Sequence, residues 1–171
     1  MGKPFVRPIT ERDRSWVAYL IHELWMSDIV VTHGVVFKPA ELPGFIIDDD
    51  GEPLGLLTYQ IKGDACEIIT LDSLRKHTGV GTMLVNAVKR KAQESGCRRL
   101  WVVTTNDNLR ALGFYQKRGF HIVTVRPGVM KESRKLKPAI PEIGLEGIPI
   151  RDEIELEMIL PLAETEPSES G

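Results

Sequence analysis

Residues 65–71 read Ala65-Cys66-Glu67-Ile68-Ile69-Thr70-Leu71, and residues 76–82 read Lys76-His77-Thr78-Gly79-Val80-Gly81-Thr82. The hydrophobic period changes between them. The first stretch is rich in β-branched residues and predicts a strand. After the second, Val80, Met83, Leu84, Ala87, Val88 and Ala92 recur at helical spacing and form one apolar face. Lys89, Arg90 and Lys91 fall in the later turns, where cations suit the helix dipole, and Gly96 supplies a stop. A strand, a glycine-bearing loop and an amphipathic helix therefore follow one another without interruption.

Upstream, residues 44–47 and 54–61 also read as strands. The turns Asp48-Asp49-Asp50-Gly51 and Lys62-Gly63-Asp64 make the three strands an antiparallel meander. On the third, strict alternation puts Glu67, Ile69 and Leu71 on one face and Cys66, Ile68 and Thr70 on the other. Downstream, residues 98–105 form a strand around Leu100-Trp101-Val102-Val103. Strand, helix and strand in that order predict a right-handed crossover and a parallel pair.

The flanks complete the pattern. Residues 5–8 predict a short strand, and Thr10 caps a helix over 11–25 with Trp16, Leu20, Ile21 and Leu24 on one side. Residues 27–39 have no clear period and read as a loop with some extended structure. A helix over 108–118 ends at Gly119, a strand covers 120–125, and a short helix fits within 127–137. Pro138, Pro141 and Pro149 make 138–150 irregular. Ile154, Leu156, Met158 and Leu160 alternate with Glu153, Glu155, Glu157 and Ile159, a half-buried last strand that could pair across a homodimer.

The chain has 171 residues, 42% hydrophobic and 27% charged, with formal net charge -2. That suits one compact soluble domain over 1–162, followed by an acidic tail at 163–171 read as disordered. The charge argues against broad nucleic-acid binding. No apolar run approaches the ~18 residues a membrane span needs, and no signal peptide opens the chain. Cys66 and Cys97 have no metal spacing and read as free buried thiols of a cytoplasmic protein; the histidines show no metal-ligand spacing either.

A helix start rich in glycine can bind phosphate: its N–H groups point outward, and glycine lets the backbone approach an anion closely. Lys76 adds charge, and Thr78 and Thr82 add hydroxyls. The loop lacks the Gly-Lys-Ser/Thr of a nucleotide-triphosphate loop. The dinucleotide pattern fails at Leu84, where a third glycine belongs. A tight turn without a ligand is the competing reading of these residues alone.

The loop resembles the pyrophosphate loop of the GNAT N-acetyltransferase superfamily, Q/R-x-x-G-x-G/A, with Lys76 at the usual Gln or Arg. Downstream, Asn108, Ala111, Tyr115, Gly119 and Phe120 resemble that superfamily's N-x-x-A-x-x-x-Y-x-x-x-G-F segment. The resemblance covers about residues 5–125. It implies an α/β fold of the α+β type: a mixed, mostly antiparallel central sheet, splayed in the middle, with helices on both faces. It also implies that acetyl-CoA enters the opening as co-substrate. Its pantetheine would lie along Leu71 and Ser73, its pyrophosphate on Lys76, His77, Thr78, Gly79, Val80, Gly81 and Thr82, and its arm near Asn108 and Tyr115. No metal is called for.

Acetyl transfer to an amine needs a neutral amine, a donor to the oxyanion and a proton for the departing thiolate. By the resemblance, Tyr115 is the acid and Glu67 the base, with Asp72 a weaker alternative that could instead shape a turn. Tyr115 packed in a helix–sheet interface and Glu67 as an ordinary strand carboxylate are the structural alternatives. His33 lies where the superfamily shapes its acceptor site, and Arg134, Lys135 and Lys137 could meet an anion or face solvent. The expected acceptor is a small-molecule or peptide amine. A non-catalytic acyl-CoA-binding regulator is the alternative function.

Overall fold

The computed structural model describes residues 3–75 and 79–161; the acidic-tail expectation for 163–171 falls outside them. The strands are β1 (Phe5–Pro8), β2 (Val30–Thr32), β3 (Val35–Phe37), β4 (Gly44–Asp49), β5 (Glu52–Lys62), β6 (Ala65–Ser73), β7 (Arg99–Thr105), β8 (His121–Arg126) and β9 (Glu153–Ile159). The helices are α1 (Arg14–Trp25), α2 (Val80–Glu94), α3 (Leu109–Lys117) and α4 (Met130–Leu136). Seven strands form one sheet in the order β1-β4-β5-β6-β7-β9-β8, while β2 and β3 pair separately. Every pair in the sheet is antiparallel except β6–β7. This is the expected mixed, mostly antiparallel sheet.

The predicted parallel pair forms. β6 and β7 pair in parallel from Ala65↔Arg99 to Ile68↔Val102, and there the pairing ends. β6 runs on to Ser73 with β5 on one side and, among the described residues, no strand on the other, so the sheet splays. On one face, α2 and α3 bury Leu84, Val88 and Tyr115 with Leu57, Ile68, Leu100, Phe120 and Leu156. Each such large apolar side chain contributes ~1.5–3 kcal/mol through removal from water. On the other face α1 packs Val17, Leu20 and Ile21 on Ile46 and Leu56. Helices thus cover both faces.

Four expectations change. First, residues 27–39 contain the β2–β3 hairpin, turning at His33 and Gly34, both with positive φ (42° and 79°) as tight hairpins require. Its Val30 and Phe37 pack on Ile69. Second, the alternation on β6 is broken. The register passes from Tyr59↔Ile68 to Thr58↔Thr70, leaving Ile69 as an extra residue. A bulge of this kind inverts the face of everything beyond it. Leu71 therefore joins the α2 face with Ile68, while Thr70 and Asp72 share Glu67's face. Third, β9 lies between β7 and β8, so both its edges are used and it cannot pair across a dimer. The outer strand on that side is β8. Fourth, the glutamate side of β9 is covered at one end: Glu153 is 2% exposed.

Candidate active site

The opening between β6 and β7 holds a groove of about 640 Å³, lined by Leu71, Asp72 and Ser73 of β6, the start of α2, and α3. Of the residues read from sequence, Leu71, Ser73, Gly79, Val80, Gly81, Thr82, Asn108 and Tyr115 all line it. Lys76, His77 and Thr78 lie outside the described residues. Glu67 sits on the strand that forms one wall, deeper in the sheet.

The glycines do different work. Gly79 caps α2 in the left-handed region at φ 77°, a conformation that favours glycine. Gly81 is needed for packing: a Cβ there would lie 3.0 Å from two ring carbons of Phe114. The two motifs thus touch physically through α2 and α3. Arg118 joins them a second time. Its Nε and Nη2 donate to Thr82 Oγ1 at 2.9 and 2.7 Å, and its guanidinium lies 3.8 Å over the Phe114 ring. Among the described residues nothing accepts the O–H of Thr82. Lys117 and Arg110 also line the groove, giving it a basic wall that sequence reading did not single out.

Asn108 caps α3, its Oδ1 accepting from Ala111 N at 3.1 Å. The side-chain NH₂ has no partner among the described residues and remains available to a groove ligand. Tyr115 is 5% exposed and wedged edge-on against Phe114 and Phe120. Burial, with a smaller contribution from Asp72, raises its pKa, so the phenol keeps its proton. Its hydroxyl has no hydrogen-bond partner among the described residues.

Asp72 belongs to β6 and shapes no turn. Burial pushes its carboxyl up to about 6, against the opposing effect of the Trp25 indole, whose Nε1 donates to Oδ2 at 3.3 Å. Periodicity could not find this, because the bulge at Ile69 turns Asp72 toward α1.

On the face opposite α3, Glu67 pairs in register with Trp101, one step before the β6–β7 pairing ends. Its Oε2 lies 2.7 Å from Nε2 of His33. The backbone N–H of His33 donates to Glu153 Oε2 at 2.9 Å, and its ring rests 5.0 Å from Trp101. The Glu67 contact, opposed by desolvation, raises the imidazole pKa. Arg126 donates to Glu155 at 3.0 Å, and Arg99 pairs with Glu155 and Glu157. The two β-branched runs on either side of His33-Gly34 were the signal that could have revealed this hairpin.

Two other histidines lie apart from this pair: His22 is exposed beside Asp28, and His121 is exposed on β8. Arg134, Lys135 and Lys137 lie on and just after α4, away from the groove. Lys137 is buried, with Nζ donating to Ile29 O at 2.9 Å, and Arg134 donates to Pro141 and Ile150 carbonyls. Only Lys135 of the three is solvated, beside Glu132. Both cysteines are free and buried, and burial pushes the Cys66 thiol up to about 12. Among the described residues no group of three or more His, Cys, Asp and Glu is placed to hold a metal, and no helix is long and apolar enough to cross a membrane.

Residues 8–120 match the model of the Acetyltransferase (GNAT) family. Two uncharacterized proteins of Bacillus subtilis (strain 168) are similar in sequence. YdhI is 44% identical over 76% of this chain and 82% of its own length. YxbD is 36% identical over 86% and 93%. Among solved structures, an IAA acetyltransferase from Bacillus cereus superposes with TM-score 0.71 at 20% identity, covering 92% of this chain and all of that one. A GNAT family acetyltransferase from Elizabethkingia anophelis, with acetyl-CoA bound, gives 0.69 at 20% identity over 92% and 98%. A Bacillus subtilis acetyltransferase in complex with CoA gives 0.67 at 19% identity over 92% and 99%.

Proposed function

Because the chain belongs to the acetyltransferase (GNAT) family, we propose that it moves an acetyl group from acetyl-CoA to a primary amine by direct transfer in a ternary complex. The observation that carries this reading is the groove at the split between β6 and β7, with Tyr115 on one wall and the helix start of α2 at its end. Two structural neighbours hold CoA or acetyl-CoA, which supports the same ligand here.

The groove suits that co-substrate chemically. Backbone beyond Ile68 on β6 has no strand partner on the β7 side among the described residues, so amides of a pantetheine arm can pair with Leu71 and Ser73 as an added strand would. The N-terminus of α2, with Thr82 Oγ1 and Arg118 beside it, attracts pyrophosphate through aligned N–H groups and charge. Asn108 offers its amide to the arm. Lys76, His77 and Thr78 belong to this set by resemblance.

In the reaction the amine nitrogen forms a bond to the thioester carbon, and the carbon–sulfur bond breaks. The Glu67 carboxylate supplies the negative charge at the place where the amine gives up its proton. Tyr115, protonated and buried, gives a proton to the thiolate. A small-molecule or peptide amine is the acceptor class. Incubation with acetyl-CoA and a panel of primary amines, followed by free-thiol release and product mass, tests this. Amine-dependent release is expected. Acetyl-CoA binding with no turnover across the panel would point instead to a regulator that kept only the groove.

A further inference from the structure

Glu67 is buried: its side chain is 6% exposed, and Oε2 is committed to His33. His33, with 21% of its side chain exposed, is the member of the pair that an incoming molecule can reach. The pair stands where β6 and β7 part, on the face opposite Tyr115. The imidazole is also held from more than one side. Its ring packs 5.0 Å from Trp101 and 6.0 Å, edge-on, from Phe37. Its backbone sits in the left-handed region at φ 42°, as the hairpin turn requires, and its N–H donates to Glu153.

We infer that His33 takes the proton from the acceptor amine, and that Glu67 acts through it by holding Nε2. This rests on the acetyl-transfer reading above. With Nε2–H donated to Glu67, the neutral imidazole carries its lone pair on Nδ1, which has no partner among the described residues. The carboxylate behind the ring fixes the tautomer and balances the imidazolium that forms. The amine forms the N–C bond as its proton passes to Nδ1. The C–S bond breaks and the thiolate takes the Tyr115 proton. Exchange through solvent returns a proton from His33 to Tyr115, so one amine proton ends on the CoA thiol. Glu67 is then a positioning residue.

Three charged groups face the imidazole: Glu67 from β6, Glu153 from β9 and Arg126 from β8. The two glutamates favour its charged form and Arg126 opposes it. The Glu67 contact is the largest influence, so losing it lowers the imidazole pKa.

The test measures kcat against pH, at saturating acetyl-CoA and amine, for the wild-type protein, His33→Gln and Glu67→Gln. His33 is titrated in parallel by NMR in the free wild-type protein and in Glu67→Gln. His33→Gln should lose about 10²–10⁴-fold in kcat and the acidic limb with it. Glu67→Gln should keep that limb but move it to lower pH, and the NMR midpoint should fall with it. The proposal is overturned if His33→Gln keeps the limb while Glu67→Gln abolishes it, since Glu67 is then itself the base. It is equally overturned if the His33 midpoint does not fall in Glu67→Gln. The NMR arm needs no turnover, so an inactive wild-type protein with the expected titration would count against the acetyl-transfer reading and not against the pair. Unchanged acetyl-CoA affinity in both variants shows that the fold is intact.

Discussion

The ring of Phe114 lies so close to Gly81 that a Cβ at that position would sit 3.0 Å from two of its carbons. Arg118 covers the same ring and donates twice to Thr82, so α2 and α3 are locked together at the mouth of the groove. Gly81→Ala gains helix propensity of at most ~1 kcal/mol and loses ~1–3 kcal/mol to overpacking. A net loss of about 1 kcal/mol in denaturant unfolding is expected, together with weaker acetyl-CoA binding by calorimetry. Gly79→Ala meets no atom within 4 Å but is strained at φ 77°, so it should cost ~1–2 kcal/mol through the backbone alone.

Tyr115→Phe removes only a hydroxyl that has no partner among the described residues, and it keeps the ring packed against Phe114 and Phe120. The fold should be unaffected. Turnover should fall about 10²-fold with acetyl-CoA affinity unchanged, as read by steady-state kinetics beside calorimetry. An unaltered kcat would remove Tyr115 as the acid.

Asp72 carries a carboxyl whose ionisation burial opposes, raising it to about 6. A group held above its unfolded value destabilises the fold once pH exceeds that unfolded value, because ionising it costs more in the folded state. Asp72→Asn keeps an oxygen for the Trp25 indole. It should therefore raise stability by about 1–2 kcal/mol at pH 8 and by little at pH 4, measured by urea unfolding at both.

Two ion pairs set opposite slopes. Asp13 is held well below the ordinary carboxylate range by the hydrogen bond from Arg7, with burial opposing, so its contribution is present above the unfolded pKa and lost on acidification through the folded one. His33 is raised by Glu67, so its contribution is present below the unfolded imidazole pKa and fades as pH rises through the folded value. Arg7→Met should weaken the protein at neutral pH more than at pH 2. His33→Gln should flatten the decline in stability above pH 6. Thermal unfolding across pH checks both.

Much of this was readable from residue order. The apolar stripe from Val80 to Ala92 gave α2, and the strand–helix–strand order gave the single parallel pair β6–β7. The paired motifs placed Tyr115 and Asn108 on the groove. What escaped has a common cause, since each feature depends on contacts distant in sequence. One inserted residue at Ile69 leaves composition untouched yet inverts Leu71 and Asp72. Glu153, Glu155 and Glu157 alternate as a solvated edge would, and only the tertiary order places β8 beside them and their strand inside the sheet. His33 meets Glu67 across 34 residues through a hairpin too short for a periodic signal.

Radiolabelled acetyl-CoA, mixed with the protein and an amine that it turns over, tests the central claim most directly. Direct transfer predicts label in the acetylated amine and none bound covalently to the protein at any time in the reaction. Label held on the protein before the amine is added, or no labelled amine at all, would contradict it.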